Sequence, residues 1–170
     1  MPTAEEDPAI HLGIFKPFFH APRGIVYLTP EEQALVEDAS GNREVPSVVI
    51  GSGLNLPEAD PTLDFRAKHG LERPFVLYVG RVDRNKGAVT LFAYFRKFLE
   101  ESGADVDLVL AGKSVVTVPD HPRIRHVGFI TEEEKLAALR QCRLLVMPSP
   151  YESLSVITLE AWKTGVPVLA

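Results

Sequence analysis

Apolar positions in this chain fall into short continuous runs, separated by stretches with helical spacing. The alternation is most regular after Pro74. "PFVLYVG" reads as a continuous apolar strand. Ala88 to Glu101 then repeats apolar residues at Leu91/Phe92, Phe95 and Phe98/Leu99, the period of an amphipathic helix. "VDLVLAG", the short "IRHVGF", "LLVMPS" and the terminal "VPVLA" read as further strands. "TEEEKLAALRQ" is a helix with Thr131 as cap and Glu134 in the capping-box position. Another helix runs from about Leu154 to Lys163 and stops at Thr164-Gly165. Strands that are apolar throughout, alternating with helices, predict an α/β fold whose parallel sheet is covered on both faces.

The first fifty residues are organised differently. "GIFKPFFHAPRG" reads as a packed loop and "GIVYL" as a short buried strand. "TPEEQALVEDA" starts a helix, with Thr29 as cap, Pro30 at the first helical position and Glu32 completing a capping box. "PSVVI" is the next apolar strand. The Gly/Pro-rich "GSGLNLPEADP" that follows reads as a linker, giving a piece over 1–50, a connector over 51–60 and a domain over 61–170 that opens with a short helix from Pro61 to His69. Gly51-Ser52-Gly53 lacks the third glycine and the following helix of a dinucleotide-binding loop.

Composition narrows the function classes. The chain has 170 residues, 45% hydrophobic and 24% charged, enough to build a core. A net charge of −5 without a Lys/Arg block argues against nucleic acid as partner. The single cysteine, Cys142, precedes an apolar run and reads as a buried, inert thiol. The five histidines have neither Cys partners nor ligand spacing, so no metal site is expected. No apolar run is long enough to span a membrane, and the acidic N-terminus is unlike a signal peptide, so the expected location is the cytoplasm.

Ligands of such sheets bind beyond the carboxyl ends of the strands. There, "PFVLYVG" is followed by "RVDRNKG": Gly80 permits close backbone approach, and Arg81 and Lys86 precede a helix. Two cations and a helix N-terminus suit a phosphate-bearing ligand. "VDLVLAG" leads into Lys113. "LLVMPS" leads into "PYESLSVITLEAW", with Glu152 and Glu160. On one helix these carboxylates would stand roughly 12 Å apart along the axis, whereas glycosidase pairs flank a single bond at roughly 5–9.5 Å. Pro148 and Pro150 place Glu152 before the helix, and Glu160 about two turns into it. The free N–H groups of the helix start, around Ser153 to Val156, lie between them. Carboxylate, anion-binding amides, carboxylate is an order that suits a ligand with hydroxyls at both ends and a diphosphate between them, a nucleotide sugar.

"GRVDRNKG" and "ESLSVITLEAWKTGVPVLA", in that order and about 70 residues apart, closely resemble the retaining group 1 (family 4) glycosyltransferases of GT-B fold. The resemblance covers roughly Val48 to Ala170. It implies a Rossmann-like donor domain and transfer of a hexose-like unit from a nucleoside diphosphate sugar with retention. It implies that Arg81 and Lys86 neutralise the diphosphate, with Gly80 beside them, and that Glu152 holds hydroxyls of the transferred sugar. Ser153, Leu154 and Ser155 would offer amides to phosphate, and Glu160 would bind the ribose. Phe129 and Ile130 look like the base-contacting segment. It implies no metal or other cofactor, since cations and helix amides carry the charge.

Full enzymes of this family have two such domains. Residues 1–50 resemble only the end of the acceptor domain, and the chain stops before the family's last helices, so it looks like a fragment. The acceptor, a sugar, lipid or small molecule, and any peripheral membrane association would belong to the missing domain. A catalytically inactive nucleotide-binding fragment is the alternative. Three further features have plainer readings: Asp105-Val106-Asp107 as a solvated turn, Trp162 as core, and Tyr151 as a residue able to stack on a ligand.

Overall fold

The structure, a computed structural model, describes residues 15–58, 60–150 and 155–170. The chain divides into two compact units, Met1–Gly53 and Leu54–Ala170.

In the first unit, helix α1 (Lys16–His20) is followed by strand β1 (Ile25–Tyr27), helix α2 (Pro30–Ser40) and strand β2 (Ser47–Val49). The two strands pair in parallel, Val26 opposite Val48. Where a loop was expected, Lys16–His20 forms a helical turn with Pro17 in its first positions, where a missing N–H costs nothing. Thr29 caps α2, its hydroxyl accepting the Glu32 N–H at 3.0 Å. The Glu32 carboxylate does not close the expected box on Thr29. It accepts the Leu28 N–H instead, at 2.7 Å. The strands are only partly buried within this unit: Tyr27 is buried, but Val26 is 60% exposed and no residue of β2 is buried. Buried Asn42 does the structural work after α2, donating to the Phe19 carbonyl and accepting the Glu44 and Val45 N–H groups.

The second unit contains helix α3 (Phe65–His69), β3 (Phe75–Val79), α4 (Ala88–Ser102), β4 (Asp107–Ala111), β5 (Ile124–Gly128), α5 (Glu132–Gln141), β6 (Leu144–Val146), α6 (Val156–Lys163) and β7 (Val168–Leu169). Helix α3 starts later than Pro61. The Asp60 carboxylate accepts both the N–H and the hydroxyl of Thr62, holding a turn, and Asp64 becomes the cap. The sheet is parallel throughout, in the order β5-β4-β3-β6-β7. This is the doubly wound arrangement, and its order reverses between β3 and β6.

Side-chain alternation along these strands feeds two cores, and β4 is buried from end to end. Phe75, Leu77, Val109, Ala111, Leu145 and Met147 point to one face, covered by Phe65 of α3, Ala137 to Leu139 of α5 and Ala161 of α6. Tyr78, Leu108, Leu110 and Val146 point to the other, covered by Leu91, Phe92 and Phe95 of α4. Trp162 is not core but 63% exposed. Ala161 takes the inward position of α6, and the next residue turns about 100° away from it. Cys142 packs half-buried against the first core, where burial pushes its thiol up to about 12. Asp107 opens β4 as a buried residue paired with Arg123, and Asp105 bonds Arg73 and Arg123. The Asp-Val-Asp segment thus carries a two-arginine network in which Asp105 stays exposed, as the solvated-turn reading has it, while Asp107 is buried. It lies at the opposite end of β4 from Gly112.

Helix α5 starts with the expected capping box: Thr131 accepts the Glu134 N–H, and Glu134 accepts the Thr131 N–H. The buried Glu134 carboxylate also pairs with Lys68 of α3. The Lys68 bond, then the Thr131 N–H, hold the Glu134 carboxyl below its ordinary 4.5. A depressed carboxyl contributes stability that is complete above the unfolded value and is lost as pH falls through the folded one. Glu134→Gln therefore lowers urea midpoints at neutral pH and flattens their decline below about pH 4.5. An acid limb as steep as in the unsubstituted chain would refute this role.

Candidate functional site

The carboxyl ends of β3, β4 and β6 converge on one cleft. Two glycines fix how their loops leave the sheet. Gly112, after β4, has φ +133°, and a Cβ there would stand 2.1 Å from the Gly80 carbonyl oxygen. Gly87, just before α4, has φ +73°, and a Cβ there would meet the Pro148 carbonyl oxygen at 2.1 Å. Ladder bonding continues beyond the strands: Gly80 N–H to Ala111 O, Gly112 N–H to Gly128 O, Val82 N–H to Lys113 O and Val115 N–H to Val82 O, at 2.7–3.0 Å. A register shift between Leu110 and Ala111 inserts Val127 as an extra residue in β5, directly before the Gly128-Phe129-Ile130 segment.

Buried Asp83 organises the loop after β3. One oxygen accepts the Lys86 N–H at 2.7 Å, and the other pairs with Arg81 Nε. The Lys86 N–H, with further help from Arg81, holds the Asp83 carboxyl below its ordinary range, so it stays ionised. The Tyr78 hydroxyl donates to the Arg81 carbonyl at 2.8 Å.

Two cavities share Val79, Gly80, Arg81, Val156 and Ile157. The smaller, about 180 Å³, adds Lys86, Ser149 and Ser155 and lies at the reversal between β3 and β6. The larger, about 460 Å³, adds Gly112, Lys113, Phe129, Ile130, Glu132, Lys135 and Glu160. Helix α6 joins them. Ser155 caps it by accepting the Thr158 N–H, and Glu160 sits one turn in rather than two, because the helix starts at Val156.

Glu160 is only 4% exposed. Lys135 Nζ donates to its Oε1 at 2.8 Å and to Glu132 Oε2 at 2.6 Å. Glu160 Oε2 is buried and finds no hydrogen-bond partner among the described residues. Burial disfavours the Lys135 charge, but the Glu132 and Glu160 carboxylates outweigh it and raise the ammonium above its ordinary value. Phe129 is 88% exposed at the cavity rim, whereas Ile130 is buried.

Of the residues singled out in the sequence, Gly80, Arg81, Lys86, Phe129, Ile130, Ser155 and Glu160 line these two cavities. Glu152, Ser153 and Leu154, with Tyr151, lie outside the described residues. Sequence reasoning missed Asp83, Glu132 and Lys135. The Asp-x-x-Lys spacing of a side-chain-capped turn was a usable signal for Asp83. Among the described residues, no group of three or more His, Cys, Asp or Glu could hold a metal ion, and no helix is long and apolar enough to cross a membrane.

A doubly wound parallel sheet with its cleft at the strand-order reversal is common to many functions, and the comparisons narrow it to the GT-B glycosyltransferases. The family model described as "Glycosyl transferases group 1" matches residues 61–170, and the chain belongs to that family. It is 31% identical over 118 residues to alpha-D-kanosaminyltransferase of Streptomyces kanamyceticus, a match covering 63% of this chain and 30% of that protein. Among solved structures it is similar to sucrose-phosphate synthase of Thermosynechococcus elongatus, with TM-score 0.74 and 28% identity, over 99% of this chain and 45% of that one. Anabaena HepE, solved with UDP and glucose, shares the fold at TM-score 0.75 and 19% identity, over 98% and 49%. The chain thus spans less than half the length of each of these proteins.

The glycine contact gives a direct test. Gly112→Ala costs about 3 kcal/mol or more in urea unfolding, because neither backbone can yield. Gly128→Ala, where φ is also positive at +77° but the space around it is open, costs about 1–2 kcal/mol. Equal costs would mean that the Gly80 contact is not limiting.

Proposed function

We propose that this chain binds the donor of a retaining glycosyl transfer, a nucleoside diphosphate sugar whose hexose-like unit passes to a hydroxyl of a sugar, lipid or small-molecule acceptor. The observation that carries this reading is the Glu160 carboxylate. One oxygen is held by Lys135, and the other is buried and unpartnered against a cavity of small-ligand size. A ribose diol supplies the donors such an oxygen lacks.

The rest of the cleft follows in order. Arg81 and Lys86, with the N-terminal amides of α6, face the diphosphate. As the bond between the sugar's anomeric carbon and the diphosphate oxygen breaks, negative charge grows on the leaving group and positive charge on the sugar. Cations and amides fixed in advance stabilise that separation more than they stabilise the bound donor. Ser153, Leu154 and Ser155 offer N–H groups to phosphate, Glu152 holds hydroxyls of the transferred sugar, and Phe129 and Ile130 flank the base. Protein groups supply all of this positive charge, so the reading invokes no resident metal. HepE has been solved with UDP and with UDP-glucose, which makes UDP the first nucleotide to try.

Calorimetric titration of the chain with UDP, ADP and GDP tests the reading. At least one binds, EDTA leaves the affinity unchanged, and Arg81→Ala and Lys86→Ala each weaken it about tenfold. A folded chain that binds none of the three, or that loses binding in EDTA, would overturn it.

A further inference from the structure

We infer that Lys135 is a positioning residue which, gripped by Glu132, fixes Oε1 of the Glu160 carboxylate and leaves Oε2 unpartnered for a diol, thereby setting discrimination between ribose and deoxyribose in the bound nucleotide. The inference rests on the donor-binding reading above. Lys135 occupies the first turn of α5, its N–H bonded to the Thr131 carbonyl at 2.8 Å, so the capping box fixes where its side chain starts. Its Nζ then bridges Glu132 Oε2 at 2.6 Å and Glu160 Oε1 at 2.8 Å, with the side chain 15% exposed.

Without a cation on Oε1, the terminal torsion of Glu160 would be broad, and Oε2 would not hold one place for a diol. Two other cations line the same cavity, but Arg81 is committed to Asp83 and Lys113 is exposed. The neighbouring Val156 and Ile157 bring no charge. Lys135 is the cation that touches Glu160, and Glu132 limits where its ammonium can go.

The test compares UDP with 2′-deoxy-UDP and 3′-deoxy-UDP, or the matching ADP or GDP analogues if those bind better. The unsubstituted chain prefers the full ribose about tenfold or more, the worth of a hydrogen bond to a charged group. Lys135→Met brings that preference below about threefold, while Lys135→Arg keeps most of it. Glu132→Ala, at an exposed position, lowers it by an intermediate factor and serves if Lys135→Met does not fold. An unchanged ribose preference in Lys135→Met or in Glu132→Ala overturns the inference while leaving nucleotide binding intact. A chain that binds no nucleotide removes both readings.

Discussion

The position of a hydrogen atom on Gly112 governs this site. A methyl group in its place would overlap the Gly80 carbonyl oxygen, so the chain leaving β4 can press against the chain leaving β3 only because position 112 is glycine. That approach lets hydrogen bonding run past the strand ends, from Val82 to Lys113 and back from Val115. The loops carrying Arg81 and Lys113 are thereby held as extensions of the sheet. Gly87 against Pro148 repeats the device between the start of α4 and the end of β6. Backbone contact, not side-chain packing, sets the width of the cleft floor.

On that floor the important charges come in opposed pairs. Asp83 anchors Arg81 and at the same time takes the Lys86 N–H, so one buried carboxylate orients two cationic residues. Lys135 does the converse for carboxylates, joining Glu132 and Glu160. Isolated charges at such depth would be expensive. Pairing makes burial affordable and leaves one part of each group, the Arg81 fork or Glu160 Oε2, for a ligand.

Much of this was legible in the chain, and what was not has physical causes. Apolar runs and helical spacing reveal β3 to β7 and α4 to α6, because each signal is local. The same holds for the caps Thr29 and Thr131, whose partners are three residues away. Glu32 took the Leu28 N–H instead of closing its box, a choice between two nearby donors that spacing does not decide. Trp162 was misread because hydrophobicity alone does not say which side of α6 faces the sheet; Ala161, the smaller residue, does. The residues missed altogether, Glu132 and Lys135, read as surface charge on an acidic helix start. Their significance depends on Glu160, 25 residues beyond Lys135 in the chain, and only the β5-β4-β3-β6-β7 order brings α5 and α6 together.

That order also sets where Glu160 stands relative to the start of its helix. Reversal between β3 and β6 opens the cleft where α6 begins, so α6 runs from the smaller cavity at Ser155 toward the larger one at Glu160. Five residues of helix advance about 7.5 Å. A fixed rod of that length, with amide donors at its start and a carboxylate one turn along, measures a ligand more strictly than two loops could. In the proposed function, that length matches the separation between an anionic group and a diol. Acid–base partners converge on one bond, whereas Ser155 and Glu160 are held apart by a helix whose geometry leaves the distance little freedom.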